Sequence, residues 1–301
     1  MFFRNLTLFR FPASLRDALA DLQPALAEHV LKPVGPLEMF SRGFVSPFGR
    51  DHEALSHRVD DAVWIVLGGE DKILPSAVVN EMAAKKAEEI EEREGRPLGG
   101  RARKRLKEDT LHELLPRAFS KPSRTGLHLD LNSGIAAVDT SSRKTAEGVL
   151  SELRTALGSF PAVPVNAEVA PRSVLSGWLA GEPLPKGLSL GDECELKDPV
   201  DRGAVVKAQR QELTAEEIGN HLEAGKQCSR LALVLDDHVS FVLGDDLVVR
   251  KLKFLEGAVD SLEQRDGGDI AAELDARYAL MVGELRRLFA TLEKAFKLSK
   301  V

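Results

Sequence analysis

Residues 231–254, LALVLDDHVSFVLGDDLVVRKLKF, decide the fold class of this 301-residue chain. The stretch contains three short runs rich in apolar and β-branched residues, and a pair of aspartates stands at each of the two breaks between them. Apolar runs of this length, bounded by turn-forming residues, are typical of neighbouring antiparallel strands. The pattern therefore predicts a three-stranded meander with strands over residues 231–235, 239–243 and 247–254.

Strand patterns also occur elsewhere in the chain. We predict a first strand around residues 3–8, a buried strand over residues 62–67 that ends at Gly68 and Gly69, and a strand over residues 204–209. Residues 126–140, GLHLDLNSGIAAVDT, predict a β-hairpin. Its turn is expected at Asn132-Ser133-Gly134, because Asn and Gly accept positive φ angles.

Helical periodicity predicts six helices among these strands. They are expected over residues 14–32 with a break at Pro24, 76–94, 101–115, 142–157 with Gly158 as C-cap, 214–225 and 269–298. Thr214 and Glu217 have the spacing of a capping box at the start of the fifth helix. The sixth helix carries an apolar seam of Leu274, Tyr278, Met281, Leu285, Leu288 and Leu292. Such a seam packs either against the helix's own sheet or against a second copy of the chain.

Meanders combined with scattered helices predict an α+β fold with antiparallel sheets and flanking helices, and not a doubly wound parallel sheet. The two helices over residues 76–115 contain few large apolar residues, so this helical hairpin is expected to bury little and to project from the body. We predict three lobes. They are a central α+β lobe of residues 1–74 with 124–170, the projecting hairpin of residues 75–123, and a C-terminal α+β lobe of residues 171–301.

The composition is that of an ordinary globular protein, with 43% hydrophobic and 29% charged residues. No apolar run approaches the roughly 18 residues of a membrane span, and the two cysteines, Cys194 and Cys228, do not suggest a disulfide framework. A cytoplasmic location is therefore expected. The formal net charge of -6 is unusual for a nucleic-acid-binding protein, so any such function requires that basic residues be segregated on one surface.

Familiar catalytic and cofactor motifs are missing from the sequence. Gly225-Lys226 resembles the end of a Walker loop, but Gly219 lies one position too far upstream and Gln227 replaces the Ser or Thr that would hold magnesium. Two distant cysteines cannot form a zinc site of the usual spacing. There is no nucleophile elbow and no zinc-protease histidine pair. We therefore predict no catalytic residue, no metal and no cofactor.

Two alternative functions remain open. Asp192, Glu195 and Lys197 loosely match the acid-x-Lys pattern of metal-dependent nucleases, and Asp130 and Asp139 could converge with them. In a chain with 47 acidic residues such a match also arises by chance. The other alternative is a protein-interaction module that touches DNA only weakly.

Basic residues gather in a few places. Residues 93–107 contain seven basic residues and one acidic residue, a local balance of +6 that is either a solvated charged surface or a phosphate-binding one. Its members on the second helix of the hairpin are Arg101, Arg103, Lys104, Arg105 and Lys107. Further candidates on or beside predicted strands are Lys207, Arg210, Arg250, Lys251 and Lys253. Aromatic residues are scarce nearby, which favours contacts with the backbone of duplex DNA over base stacking.

Four stretches resemble the recombination-associated RdgC family in order and spacing. They are DKILPSAVVN (71–80), LLPRAFS (114–120), LTAEEIGNHLEAGK (213–226) and LVVRKLKF (247–254). The resemblance implies a curved, multi-lobed α+β subunit that pairs into a ring-shaped homodimer. It also implies a nucleoid-associated protein that encloses double-stranded DNA with little sequence preference and restrains the RecA recombinase, acting at recombination and at replication forks.

The resemblance assigns roles to four residues. Phe119 matches the family position at the contact that closes the ring. Arg210, Gln211 and Lys226 match positions that face the central hole of the ring, through which the DNA would pass. Arg210 stands where the family usually has Lys, and Gln209 stands where a second Lys is common. The chain therefore keeps one expected positive charge and lacks another.

Overall fold

A computed structural model describes residues 2–49, 52–201, 203–263 and 270–299. The fold is α+β, as predicted, and its two sheets are built from antiparallel strand pairs. The described strands are β1 Thr7–Arg10, β2 Phe40–Val45, β3 Ser56–Val59, β4 Ala62–Ile73, β5 Phe119–Asp130, β6 Ile135–Val138, β7 Val163–Pro164, β8 Leu188–Lys197, β9 Val205–Gln209, β10 Gln227–Leu235, β11 Val239–Gly244 and β12 Val249–Phe254. The described helices are α1 Gln23–Ala27, α2 Ser76–Glu94, α3 Gly100–Leu114, α4 Arg143–Leu157, α5 Pro171–Leu179, α6 Glu216–Glu223, α7 Glu256–Glu263 and α8 Ile270–Phe296.

The chain forms two compact units. Unit 1 contains Met1–Leu26, Ser46–Val66 and Thr125–Val301, and unit 2 contains Ala27–Val45 and Leu67–Arg124. Strands β4 and β5 contribute residues to both units, because the boundary after Val66 falls inside β4 and the boundary after Arg124 falls inside β5. The α2–α3 hairpin belongs to unit 2, whereas the whole sheet built from β8 to β12 belongs to unit 1.

The predicted meander is confirmed as one side of a five-stranded sheet with the order β12-β11-β10-β8-β9. Strand β10 pairs with β11 from Arg230–Gly244 to Leu235–Val239 and, on its other side, with β8. Asp236 and Asp237 form the first turn with φ angles of 50° and 55°, a left-handed conformation that Asp tolerates better than most residues. This sheet carries most of the predicted basic strand residues.

The other sheet has seven strands in the order β2-β4-β5-β6-β1-β7, and β3 pairs with β4. The predicted hairpin is confirmed in it: β5 and β6 pair from Leu127–Val138 to Asp130–Ile135, and Gly134 takes a φ of 66° in the turn. Helix α4 is also confirmed. Ser142 caps its first turn by accepting a hydrogen bond from the Thr145 N–H, and Gly158 ends it at a φ of 71°.

Three predictions of local structure are wrong. Strand β4 does not end at Gly68 but continues to Ile73. Residues 14–32 contain a short 3-10 turn at Ala13–Leu15 and the five-residue α1 rather than a long helix, because Pro24 lies in the first turn of a new helix, where its missing N–H is harmless. The capping box does not form, because Ala215 is the N-cap of α6 and the Thr214 hydroxyl donates to Glu212 instead.

The apolar seam of α8 is buried within unit 1. Tyr278, Met281, Leu285, Leu288 and Leu292 are each at most 1% exposed, and Leu274 is half-buried. The Tyr278 ring stacks on Trp64 at 5.5 Å between centroids, and its hydroxyl lies 3.0 Å from His128 Nδ1. The seam therefore completes the core of its own unit, which is the first of the two alternatives raised by the sequence.

No helix among the described residues is both long enough and apolar enough to cross a membrane.

Candidate nucleic-acid interface

The five-stranded sheet has one apolar face and one charged face. Leu231, Leu233 and Leu243 are fully buried on the apolar face. Because side chains alternate along a strand, the strand register places the neighbouring residues on the opposite side. We call that side the charged face; its charged residues are Glu193, Glu195, Lys197, Lys207, Arg230, Arg250 and Lys253.

A β-bulge in β12 adds one more cation to the charged face. The pairing of β11 with β12 shifts between Ser240 and Val242, which leaves an extra residue on β12. Lys251 lies in this bulge with a φ of 53°, whereas Leu252 remains buried in the core. Bulges commonly re-aim a side chain in this way. As a result, three of the four residues in the run RKLK, 250–253, contribute positive charge to one face.

Lys251 reaches across the sheet to Glu193. Its Nζ lies 2.6 Å and 2.9 Å from the two carboxylate oxygens of Glu193 on β8, although β10 and β11 lie between the two strands. The register places the small side chains of Ala232 and Val242 along this line. Both are less than 10% exposed, so the ion pair lies over closely packed side chains of β10 and β11.

Glu195 is the buried anionic centre of the charged face. Its side chain is 9% exposed and lies 3.0 Å from Lys197 Nζ, 3.4 Å from Lys207 Nζ and 3.7 Å from an Arg230 nitrogen. Burial raises the pKa of this carboxyl group, but hydrogen bonds from Lys197 and Ser229 and the nearby positive charges outweigh burial and lower the pKa to about 2. Glu195 is therefore ionised at neutral pH and holds three cations in a row across β8, β9 and β10.

A concavity of about 340 Å³ opens on the charged face. Three of the predicted DNA-binding residues, Arg210, Lys251 and Lys253, line it together with Gln209 and Glu193. Arg210 is exposed and follows the last residue of β9 with a φ of 56°. Neither Arg210 nor Lys253 forms an ion pair within the described part of the chain. The concavity thus presents two unpaired cations and one paired cation.

The remaining sequence-predicted residues of this unit are more scattered. Lys207 contributes to the Glu195 cluster, and Arg250 forms a bidentate pair with Asp246 at 2.6 Å and 2.9 Å. Gln211 is exposed beside Arg210, and its backbone N–H donates to the Asp192 carbonyl at 3.4 Å. Lys226 precedes β10 outside the concavity and helps to lower the pKa of Asp198, after the larger effect of two backbone N–H donors.

Unit 2 carries the second basic cluster on α3. Arg101, Arg105 and Lys107 are exposed and form no ion pair among the described residues. Arg103 pairs with Glu91 of α2 at 2.7 Å, and Lys104 lies 3.9 Å from Glu108. Among the cations predicted here, three are therefore free to meet an external anion, and two already have an internal partner.

Phe119, at the start of β5 in unit 2, is 85% exposed. The two strands that precede β5 in the sheet order, β2 and β4, also have an exposed apolar residue at one end. Phe40 at the start of β2 is 61% exposed, and Ile73 at the end of β4 is 51% exposed. The backbone N–H of Lys72 donates to the Met39 carbonyl, which brings these strand ends together. Exposed apolar side chains grouped at one end of a sheet are typical of an interaction surface.

The carboxylates considered for a nuclease do not converge. Glu195 is neutralised by its cations, Asp130 accepts hydrogen bonds from Arg286 and Ser133, and Asp139 accepts the backbone N–H groups of Arg4 and Asn5. Asp192 is exposed on β8. No group of three or more His, Cys, Asp or Glu side chains in the described ranges is arranged to hold a metal ion.

Sequence reasoning missed Arg230 and the counter-ion roles of Glu193 and Glu195, and it considered Lys197 only as part of a nuclease pattern. A signal for Arg230 was available, because strand alternation in QCSRLALVL places it on the side opposite Leu231 and Leu233. The pairing of Lys251 with Glu193 has no such signal, since the two residues are 58 positions apart and meet only across two other strands.

Comparison with known proteins supports a single family. The sequence matches a family model described as "Putative exonuclease, RdgC" over residues 1–299. It is 65% identical over 301 residues to "Recombination-associated protein RdgC" of Xanthomonas campestris pv. campestris (strain B100) and of Xanthomonas axonopodis pv. citri (strain 306). It is 62% identical to the protein of the same name from Stenotrophomonas maltophilia (strain R551-3). Each alignment covers 100% of this chain and 99% of the relative.

Proposed function

The chain belongs to the RdgC family of recombination-associated proteins, and we propose that it binds double-stranded DNA without sequence preference as a ring-shaped homodimer. In this proposal the protein is a binding protein and not an enzyme. It acts within the nucleoid at recombination intermediates and replication forks, where it restrains the RecA recombinase by occupying the DNA.

The segregation of positive charge carries this proposal. A chain with a net charge of -6 nevertheless collects Lys197, Lys207, Arg230, Lys251 and Lys253 on one face of one sheet. Phosphate contacts need local positive charge and are independent of base sequence. The charged face has few aromatic side chains for stacking on single-stranded bases, which favours duplex DNA.

Enclosure by two copies would explain how an acidic protein holds DNA. In a ring only the inner wall needs positive charge, and enclosure slows dissociation without tight local contacts. The free cations Arg101, Arg105 and Lys107 on α3 add a second phosphate-binding surface in unit 2. The exposed Phe119 supplies apolar surface for contact with the second copy.

The salt dependence of binding tests the proposal. We expect the affinity for duplex DNA to fall linearly with salt on a logarithmic plot, with a slope of about -0.9 per phosphate neutralised. The double substitution Arg210→Ala with Lys253→Ala removes two unpaired cations and should make the slope shallower by about 1.8. Affinity should fall by a similar factor on unrelated DNA sequences, which fluorescence anisotropy measures directly.

Lys144→Ala on α4 is the matched control, because Lys144 is an exposed cation of unit 1 that is not part of the five-stranded sheet. It should leave the slope unchanged. An unchanged slope in the double variant, or strong preference for one DNA sequence, would contradict the proposal. So would nicking of plasmid DNA in the presence of Mg²⁺ or Mn²⁺, which would support the nuclease alternative instead.

A further inference from the structure

The ion pair between Glu193 and Lys251 occupies the concavity of the charged face. Both residues line the concavity together with Arg210 and Lys253. The pair is short, with two contacts of 2.6 Å and 2.9 Å between Lys251 Nζ and the Glu193 carboxylate. Asp192 also lines the concavity but forms no ion pair among the described residues, so Glu193 is the carboxylate that holds one of the three cations where an external anion would enter.

The backbone around this pair is unusual. Lys251 and Arg210 both have positive φ angles, 53° and 56°, which long side chains seldom adopt. Such conformations cost free energy and occur preferentially at functional sites. Here they place two cations on the rim of one concavity, Lys251 from a bulge inside β12 and Arg210 from the end of β9. An ion pair with a purely structural role would not require an unpaired cation such as Arg210 beside it.

Glu193 differs from its neighbour Glu195 in how firmly it is held. The Glu195 side chain is 9% exposed and has four partners, namely Lys197, Lys207, Arg230 and Ser229. The Glu193 side chain is 24% exposed, its partner Lys251 is 57% exposed, and Lys251 is its one ion-pair partner among the described residues. Exposed ion pairs of this kind contribute little to stability. The Glu193–Lys251 pair can therefore open at small cost, whereas the Glu195 cluster cannot.

We propose that Glu193 is an internal competitor for phosphate, which holds Lys251 in the free protein and releases it when a DNA phosphate enters the concavity between Arg210 and Lys253. This inference rests on the proposed DNA-binding function and concerns its regulation. The exchange replaces one anion beside Lys251 by another, so no covalent step is involved. Its consequence is that the protein binds DNA more weakly than its cations allow and therefore dissociates more readily.

Replacing the competitor tests the inference. Glu193→Gln keeps the size of the side chain but removes its charge, so that Lys251 becomes available to phosphate without competition. We expect the affinity for a duplex of unspecified sequence to rise about three- to fivefold near 0.1 M salt. The slope of affinity against salt should steepen by about 0.9, the value for one additional phosphate contact.

Two further variants separate this effect from a general loss of negative charge. Glu147→Gln, an exposed acid on α4 without an ion pair among the described residues, should raise the affinity less than twofold and leave the slope unchanged. In a Lys251→Met background, Glu193→Gln should have only the small effect of Glu147→Gln, because the released cation is missing. Such a double-mutant cycle isolates the coupling between the two side chains.

The outcomes distinguish this inference from the proposed function. If the wild-type protein binds duplex DNA with the expected salt dependence but Glu193→Gln behaves like Glu147→Gln, the competitor role is wrong and DNA binding stands. The same conclusion follows if Glu193→Gln has its full effect without Lys251. If neither the wild-type protein nor the Arg210 and Lys253 variants show salt-dependent binding, the proposed function itself fails. Unfolding curves that match the wild type show that each variant is folded.

Discussion

Glu195 shows at the scale of one residue how an anionic side chain can organise a basic surface. It is one of few buried charged residues, and Lys197, Lys207 and Arg230 surround it. Without it, three like charges would lie close together on neighbouring strands, an arrangement that is unfavourable. The carboxylate therefore stabilises the sheet and fixes the positions of the cations at once. In the proposed function this makes Glu195 a positioning residue, not a phosphate ligand.

The low pKa of Glu195 gives a prediction for stability. Its pKa falls from an ordinary 4.5 to about 2 on folding, so the unfolded chain binds more protons between these values. The resulting stability is fully present above about pH 4.5 and is lost as the pH falls towards 2, a contribution of about 3 kcal/mol. Glu195→Gln should therefore lower the free energy of unfolding at pH 7 by about this amount. The difference from the wild type should shrink as the pH falls below 4.5 in urea-unfolding experiments, and a constant difference would contradict this account.

Strand β4 shows at the scale of an element why two glycines need not end a strand. A Cβ added at Gly68 would lie 2.7 Å from Val45 Cγ1 and 2.9 Å from Leu31 Cδ2, all within unit 2. At Gly69 it would lie 2.7 Å from an Arg42 nitrogen. Gly inside a strand often marks such a close approach of a neighbouring segment. The glycines therefore allow the strand to continue past packed neighbours.

We expect Gly68→Ala to destabilise the protein by about 1–3 kcal/mol, because the added methyl group overpacks the site. Gly148→Ala is the matched control. Gly148 lies inside α4 with no atom within 4 Å of its added Cβ, so this substitution should stabilise the helix by about 0.5–1 kcal/mol. Thermal unfolding followed by circular dichroism measures both changes. Equal effects at the two positions would show that packing around β4 is not the reason for Gly68.

At the scale of the whole molecule, the surfaces of the two units differ in character. Most of the strongly exposed large apolar side chains lie in unit 2, among them Leu37, Phe40, Ile73 and Phe119. The five-stranded sheet with its charged face lies entirely in unit 1. A protein that encloses DNA as a dimer needs both kinds of surface, one for the second copy and one for phosphate. Unit 1 supplies the charged face, and unit 2 supplies most of the exposed apolar side chains together with the cations of α3.

If the proposed homodimer forms, Phe119→Ser should weaken self-association, because it removes the most exposed aromatic side chain among the described residues. The expected result is a shift from dimer towards monomer in sedimentation velocity at micromolar concentration, with faster loss of DNA at moderate salt. Val200→Ser is a matched control, since Val200 is 91% exposed but lies in unit 1. Unchanged dimerisation of the Phe119 variant would remove its role in the contact between copies.

The sequence by itself determined the elements with strong local signals. The meander over residues 231–254, the α2–α3 hairpin, the turn at Gly134 and the C-cap of α4 at Gly158 all follow from periodicity and from the conformational preferences of Gly and Asn. The four motif stretches also sufficed to identify the family, since the match extends over residues 1–299. Local propensity and motif order depend on residues that are close together in the sequence, so a single sequence is enough to recognise them.

Only the tertiary structure shows why β4 continues through its two glycines and which cations have no ion-pair partner among the described residues. The sequence offers Arg250, Lys251 and Lys253 as equals, yet the fold pairs Arg250 with Asp246 and Lys251 with Glu193 and leaves Lys253 without an ion pair among the described residues. Asp246 is only four residues from Arg250, but a β-bulge and the strand register bring Lys251 to Glu193, and this register depends on contacts between residues far apart in the chain. The sequence shows which residues are charged. The fold determines which of those residues have an ion-pair partner and which can bind an external anion.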